Sequence, residues 1–183
     1  PNYCAAMWFK KGRSAVYSAL FGASEYRHSK NVSIQQITDY PFSDEIKYVF
    51  KIKAPVKLKF YVRIPAWTEG YTVSYNGNKL ENVSIKNGFA LVEKEFSNED
   101  TVTVVLPSKV KVQSTKEGAY VEKGPLLFTY GMFGDRRIDK EERNSTKKFP
   151  AYNMYPDKKW NYGLCMSEDA LENIKIVRTE IKD

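Results

Sequence analysis

The stretch VKLKFYVRIPAW, residues 56–67, decides the fold of this chain. Its apolar residues share one parity, while lysine, tyrosine and arginine take the other; the apolar set is Val56, Leu58, Phe60, Val62 and Ile64. This period of two predicts a β-strand with one buried and one solvated face. Pro65 ends the strand, because proline cannot donate to the hydrogen-bond ladder of a sheet. Such a strand is not stable alone, so neighbouring segments must pair with it.

The neighbouring segments read as further short strands separated by turn residues. Apolar runs and alternation predict strands at 14–21, 31–39, 45–53, 71–75, 89–96, 101–106, 110–113, 120–123, 126–130 and 173–181. A change of parity within 31–39 predicts a bulge near Gln35–Gln36, and Asn76–Gly77 predicts a tight hairpin. Ala54–Pro55 joins two strands either as a hairpin or as a corner between two sheets. Because no helical period lies between the strands, we expect an all-β, antiparallel, jelly-roll-like β-sandwich.

Three regions depart from this pattern. The sequence of residues 1–12 is not typical of a strand. It predicts a short helical segment that ends at Gly12. We expect the sandwich to comprise residues 13–183, and this domain could divide into two parts near 113–118. Within it, residues 133–159 are charged and without period, which predicts a long surface loop. The chain begins at Pro1 without an initiator methionine, so we expect a processed protein or a piece of a longer one.

Composition limits the classes of function. The net charge of +7 comes from residues scattered along the strands, which favours a solvated lysine-rich face over nucleic-acid binding. No apolar run reaches the roughly 18 residues that a membrane span needs. Cys4 and Cys165 lack the spacing of a metal site and fit either redox compartment. We therefore expect no nucleic-acid partner, no membrane span and no metal in this chain.

Few residues suggest catalysis. His28 is the single histidine and lies in the polar stretch EYRHSKN, where we expect an exposed loop histidine and not part of a zinc or Ser-His-Asp site. Glu93 and Glu95 share one strand face and would suit the carboxylate pair of a glycosidase, although any polar strand face offers such pairs. Cys4 has no neighbouring base that would activate it.

Aromatic residues are the candidates for ligand binding. They make up 14% of the chain, and an exposed ring can stack on the apolar face of a sugar. Trp67, Trp160 and Tyr162 are the candidate carbohydrate-binding residues. Each lies beside a turn signal, where a ring can equally cap a strand end or pack against a neighbouring domain. We favour packing, and the exposure of Trp67 tests that preference.

Several segments together carry a family resemblance. They occur in the order TDYPFSDEIKYVF, KLKFYVRIPAWTEG, VSYNG, EDTVTVVLP, EKGPLLFTYG and WNYGL. The chain from residue 1 to 164 resembles the C-terminal β-sandwich region of glycoside hydrolase family 127, whose members include β-L-arabinofuranosidases. In that family an (α/α)-barrel catalytic domain precedes this region and holds the catalytic cysteine and the zinc ligands. The family's paired-cysteine motif precedes the segment that PNYCAAMWF resembles. The resemblance thus implies that residues 1–12 end the barrel and that Cys4 is not a catalytic or metal-binding residue.

The resemblance implies a non-catalytic accessory sandwich without a cofactor of its own. Its expected partner is the catalytic barrel of the same protein, which it would pack against and stabilise, and it could also shape one rim of the substrate site or an oligomer interface. One alternative is a carbohydrate-binding module that takes a glycan. Another is a self-sufficient glycosidase that uses Glu93 and Glu95. Family relatives act on glycans outside the cytoplasm, so we expect the parent enzyme in the periplasm or outside the cell.

Overall fold

The computed structural model describes residues 2–116, 118–129, 131, 134–157, 159 and 173–179 of the chain. Over these residues the regular secondary structure consists of strands and one short helix, α1. The helix α1 covers Asn2–Ala5, and the strands β1 to β16 cover, in chain order, Trp8–Lys11, Ala15–Ser18, Ser24–Ser29, Val32–Ile37, Glu45–Ile52, Val56–Arg63, Thr72–Tyr75, Asn78–Lys79, Ile85–Lys86, Phe89–Phe96, Thr101–Val105, Val110–Ser114, Ala119–Lys123, Leu126–Phe128, Gly134–Ile138 and Tyr152–Pro156.

The described chain divides into two compact units. One comprises the residues up to Lys111 together with Glu122–Leu126, and the other comprises Val112–Val121 and the residues from Leu127 onward. The first unit contains a five-stranded sheet, β1-β2-β6-β10-β9, and a six-stranded sheet, β3-β4-β5-β11-β7-β8. Neighbouring strands in both sheets are antiparallel, except that β2 and β6 are parallel. The strand of the opening stretch, β6, is the middle strand of the five-stranded sheet.

The inward residues of both sheets form one core. The ring of Phe60, in the centre of β6, meets Tyr48 edge-on at 4.9 Å and Phe50 at 5.2 Å between ring centroids. Phe50 in turn stacks on Phe96 at 4.1 Å. These side chains are fully buried, and edge-to-face contacts of this kind contribute beyond the burial of apolar area. The all-β sandwich and the buried face of residues 56–64 are therefore confirmed.

The junction at Ala54–Pro55 is a corner and not a hairpin. Strand β5 ends at Ile52 in the six-stranded sheet, and β6 begins at Val56 in the five-stranded sheet. The chain thus crosses from one layer to the other between two strands that each bury a face on the shared core. This corner resolves the two alternatives that the sequence left open.

The start of the chain contains a strand that the sequence analysis did not predict. The helix α1 is present at Asn2–Ala5, but Trp8–Lys11 forms the edge strand β1 and pairs antiparallel with β2. Only Trp8 of this strand is half-buried, and the next three residues are exposed. A strand that buries only one residue shows no alternation of apolar and polar residues, so the sequence pattern did not predict this strand.

The bulge lies on a different strand from the predicted one. The register of β4 with β5 runs without a shift through Gln35 and Gln36. The irregularity is instead in β3, between Arg27 and Ser29. The parity did not need to change, because Gln36 continues the buried series after Val32 and Ile34, while Ile37 is exposed.

The second unit also differs from the prediction. Residues 133–159 are not a loop throughout, because Gly134–Ile138 and Tyr152–Pro156 pair as a two-stranded antiparallel sheet. A cation–π contact favours this pairing, since Arg136 lies 3.6 Å from the ring centroid of Tyr152. The strand predicted at 173–181 is absent from its described part, residues 173–179; residues 180–183 lie outside the described residues.

Candidate functional site

A groove lies at one end of the first unit, where β6 ends. It has a volume of about 420 Å³, and we call it the Trp67 groove. Its lining combines four aromatic rings, small apolar groups and one cation; the residues are Tyr3, Ala19, Leu20, Phe21, Tyr40, Arg63, Pro65, Ala66 and Trp67. The lining contains no carboxylate, so the groove is both aromatic and positively charged.

Trp67 belongs to the core and to the groove at once. It follows the end of β6, is half-buried and packs against the core cluster. A Cβ on Gly124 would lie 3.2 Å from the six-membered ring of Trp67, and Gly124 has φ +54°. Only glycine fits this position without strain, so the Gly124 backbone closes one side of the indole. Trp67 therefore has the packing role that its place at a strand end suggested, and it also lines a concave surface.

The segment that carries Trp67 is fixed by polar contacts. The Glu69 amide donates to the carbonyl of Pro107 at 3.2 Å, and the hydroxyl of Thr68 lies 2.5 Å from the carbonyl oxygen of Gly70 and 3.0 Å from that of Pro107. The Glu69 carboxylate lies 3.0 Å from the Lys111 ammonium and 3.1 Å from that of Lys109. Hydrogen bonds from Lys111 and then Lys109 lower the pKa of Glu69. The wall of the groove is thus held from two sides.

The opposite wall is built from aromatic side chains. Tyr40 packs edge-on against Phe21, with ring centroids 5.2 Å apart. The hydroxyl of Tyr3 donates to the carbonyl of Phe21 at 2.8 Å. Burial raises the pKa of Tyr40, and Tyr3 raises it further, while the charge of Arg63 acts in the opposite direction. Arg63 lines the same groove as Tyr40.

A buried glutamine supports this wall from the interior. The Gln36 amide donates to the carbonyl of Gly22 at 2.8 Å and to that of Leu20 at 3.4 Å. Its oxygen accepts from the hydroxyl of Ser18 at 2.8 Å. The side chain of Gln36 is only 2% exposed, so these bonds satisfy a polar group that burial would otherwise penalise. Sequence patterning missed this role, because a glutamine in a strand reads as an outward residue.

The described residues include one of the three aromatic candidates for carbohydrate binding. Trp67 lies in the groove, whereas Trp160 and Tyr162 lie outside the described residues. The structure adds Tyr40 and Arg63, which the sequence analysis did not single out. Tyr40 and Trp67 both follow a strand that ends at this edge of the sandwich, and that coincidence is a signal which sequence could have supplied. Arg63 alternates with lysines and gave no signal of its own.

The two glutamates on β10 belong to a charged outer face. Glu93 lies opposite Lys59 and Glu95 opposite Lys57 on β6. The Glu93 carboxylate is 3.4 Å from the Lys59 ammonium, and both side chains are exposed. This arrangement is the cross-strand ion pairing of a solvated sheet face.

The single histidine is in a strand and not in a loop. His28 belongs to β3 and is half-buried, with Nε2 2.8 Å from the carbonyl oxygen of Arg13. A carbonyl oxygen only accepts, so Nε2 carries the proton. The polarity of EYRHSKN misled the prediction, because β3 buries only alternate side chains, and those only partly.

The described residues offer few metal ligands. Cys4 is an exposed free thiol. Among the residues that the structure describes, no group of three His, Cys, Asp or Glu side chains is placed to hold a metal ion. Nor does this part of the chain contain a helix long and apolar enough to cross a membrane.

A second apolar surface crosses the outside of the five-stranded sheet. The pairing of β1, β2, β6 and β10 places Phe9, Tyr17, Tyr61 and Leu91 side by side; we call these four residues the outer apolar row. The rings of Tyr17 and Tyr61 stack at 4.3 Å with an angle of 5° between their planes. Phe9 is 51% exposed, and the other three are partly exposed. An apolar strip thus lies beside the charged rows of the same face.

Comparison with protein families gives one match. A family model described as the middle domain of GH127 β-L-arabinofuranosidase matches residues 15–108, just over half of the chain. These residues include strands β2 to β11 and hence nearly all of both large sheets. No curated protein matches the chain significantly.

Solved structures share the fold. A GH127 β-L-arabinofuranosidase from Geobacillus stearothermophilus T6 is 18% identical, with a TM-score of 0.60 over 83% of this chain and 31% of its own. A structure described as a glycoside hydrolase is 23% identical, with a TM-score of 0.53 over 61% of this chain and 20% of its own. A GH127 β-arabinofuranosidase is 20% identical, with a TM-score of 0.53 over 62% and 22%. The chain therefore spans between a fifth and a third of the length of these proteins.

Proposed function

The chain belongs to glycoside hydrolase family 127, in which it corresponds to the middle domain, and on that premise we propose that it is a non-catalytic accessory sandwich. Its function is to pack against the catalytic domain of a longer enzyme and to stabilise it. The activity of that enzyme is the hydrolysis of a β-L-arabinofuranoside, as the description of the matching family suggests. The enzyme acts in the periplasm or outside the cell.

The observation that carries this proposal is the outer apolar row. Apolar side chains in register across four strands form a surface that favours contact with another protein surface. Tyr17 and Tyr61 each turn one ring face toward the other, so these faces are not free for a sugar. The occupant that we assign is the catalytic domain, because the solved relatives are about three to five times as long as the share that this chain covers.

Activity measurements test the accessory role directly. The 183-residue chain should not hydrolyse an aryl β-L-arabinofuranoside, while the longer enzyme that includes the catalytic domain should. Turnover by the purified chain, at a rate that scales with its concentration through successive purification steps, would show that the chain is itself the enzyme.

Thermal unfolding tests the surface. In the longer enzyme, Tyr61→Ser should lower the Tm more than it does in the 183-residue chain, because only the longer enzyme loses an interdomain contact. Lys57→Ser is the matched control, since Lys57 lies on the same face of β6 and outside the row. An equal loss of Tm in both proteins would assign the Tyr61 ring to the sandwich alone and would reject the row as the docking surface.

A second candidate function is carbohydrate binding. The observation that favours it is the Trp67 groove, which combines aromatic rings and a cation in a concave site. Ligand sites of proteins are concave, mostly apolar and contain few polar groups. A glycan bound there would be held beside the catalytic domain by the accessory sandwich, so the two functions are compatible.

A further inference from the structure

We propose that the Trp67 groove binds a sugar that carries a carboxylate, that is, a hexuronic acid residue of a glycan. The inference rests on the second function above, carbohydrate binding, and not on the accessory role. It adds the chemical class of the ligand and assigns the residue that selects it, Arg63.

Arg63 supplies the charge that selects a carboxylate. None of the ion pairs found between described residues includes the Arg63 guanidinium, and the lining of the groove contains no acidic residue. A guanidinium matches the two oxygens of a carboxylate in a bidentate geometry. A neutral sugar would offer the N–H donors of the guanidinium only hydroxyl groups and solvent.

The aromatic residues supply the surface for a sugar ring. Trp67, Tyr40 and Tyr3 line the same groove as Arg63. The C–H face of a pyranose is apolar and packs on an aromatic ring, while its hydroxyl groups remain at the edge. Since the Gly124 backbone closes one side of the indole, a ligand approaches Trp67 from the groove. A volume of about 420 Å³ lies in the range of small-ligand sites and admits one or two sugar residues.

The walls of the groove are preorganised. Gln36 holds the carbonyl groups of Leu20 and Gly22, and the bond from the Glu69 amide to Pro107 holds the segment that carries Trp67. Because these contacts are made within the protein itself, few side chains are left for a ligand to order, which lowers the conformational entropy cost of binding.

Calorimetric titration of the 183-residue chain tests the proposal. The ligands are methyl β-D-glucuronide, methyl β-D-glucoside and acetate, which separate the ring from the carboxylate. The glucuronide should bind at least about 10-fold more tightly than either other ligand, as expected for hydrogen bonds to a charged group. Arg63→Gln should reduce the affinity for the glucuronide to that for the glucoside. Lys57→Gln, on the same face of the same strand, should leave it unchanged.

Each other result overturns the inference in a distinct way. Equal affinity for glucuronide and glucoside would retain carbohydrate binding and reject selection by Arg63. Equal affinity for glucuronide and acetate would reject a role of the aromatic rings. The same loss in Lys57→Gln would assign the effect to overall positive charge. Absence of binding by all three ligands would reject the site and carbohydrate binding together, and would leave the accessory role untouched.

Discussion

The hydroxyl of Tyr48 donates a hydrogen bond of 2.8 Å to the hydroxyl of Ser18 and so joins the two sheets of the sandwich. The direction of this bond follows from the neighbouring one. Ser18 also lies 2.8 Å from the amide oxygen of Gln36, which can only accept. Ser18 uses its one proton there, so Tyr48 must be the donor to Ser18. The three side chains form a buried polar cluster in an otherwise apolar core.

Removing Ser18 should cost more than removing the hydroxyl of Tyr48. Ser18→Ala leaves both the Tyr48 donor and the Gln36 acceptor without this partner, whereas Tyr48→Phe removes one donor and leaves Ser18 bonded to Gln36. We expect a loss of about 1 kcal/mol for Tyr48→Phe and about 2 to 4 kcal/mol for Ser18→Ala. Urea denaturation measures both values. A smaller loss for Ser18→Ala than for Tyr48→Phe would contradict the assigned direction of the bond.

The same tyrosine makes stability depend on alkaline pH. Burial raises the pKa of Tyr48 far above its usual 10.0, although the bond to Ser18 acts slightly against this. Burial, followed by the hydrogen bond to and the charge of Asp100, raises the pKa of Tyr75 to about 12. Because the phenols of the unfolded chain lose their protons first, the stability that these groups contribute is complete up to about pH 9 and falls as the pH rises through 10.

Urea midpoints at pH 8, 9, 10 and 11 measure this loss. The free energy of unfolding should be level up to about pH 9 with respect to these groups and then decrease. Tyr48→Phe isolates the contribution of one phenol, since the variant cannot ionise there. The stability advantage of the unchanged chain over Tyr48→Phe should shrink between pH 9 and pH 11. A constant difference over that range would show that Tyr48 titrates alike in the folded and unfolded chain.

The predictions from sequence succeeded where one face of a strand is fully buried. Apolar and polar residues alternate along β6 around Phe60 because one face of the strand packs on the core. This alternation is visible in the sequence. The predictions failed where the burial of a side chain depends on contacts with residues that are distant in the sequence. Gln36 is buried because Ser18 and two backbone carbonyl groups satisfy its amide, and no local pattern reports those contacts.

The candidate site was predictable only in part for the same reason. Trp67 could be found because a tryptophan after a proline-terminated strand marks a strand end. Tyr3 reaches the groove from the start of the chain, through the pairing of β1 with β2 and of β2 with β6, whereas Arg63 ends the same strand that Trp67 follows. Such pairing follows from the whole topology and not from spacing along the chain.

Glu93 should prove to be a surface residue without a catalytic role. Its ion pair with Lys59 spans 3.4 Å between exposed side chains, and exposed pairs contribute little. Glu93→Gln should change the free energy of unfolding by less than about 0.5 kcal/mol and should leave the glycosidase activity of the longer enzyme unaltered. Glu95→Gln, which changes the other member of the candidate carboxylate pair, should likewise leave the activity unaltered. A large loss of activity in either variant would restore the hypothesis of catalysis at this face.

Gly124 should be the glycine whose replacement reaches the groove. At Gly124, with φ +54°, an added Cβ would meet Ser108 at 3.0 Å and the Trp67 ring at 3.2 Å. Gly12 has a similar φ of +63° but no atom within 4 Å of an added Cβ. Gly12→Ala therefore measures the backbone cost alone, about 1 to 2 kcal/mol.

Gly124→Ala adds a steric clash to that backbone cost, so it should destabilise the chain by about 1 to 3 kcal/mol more than Gly12→Ala. The clash should also push Trp67 from its place, which a shift of the tryptophan fluorescence maximum would report in the folded state. Equal losses of stability in the two variants, with identical emission spectra, would mean that the Trp67 ring does not rest on the Gly124 backbone. The indole would then be free to move, and the closed side of the groove would not exist.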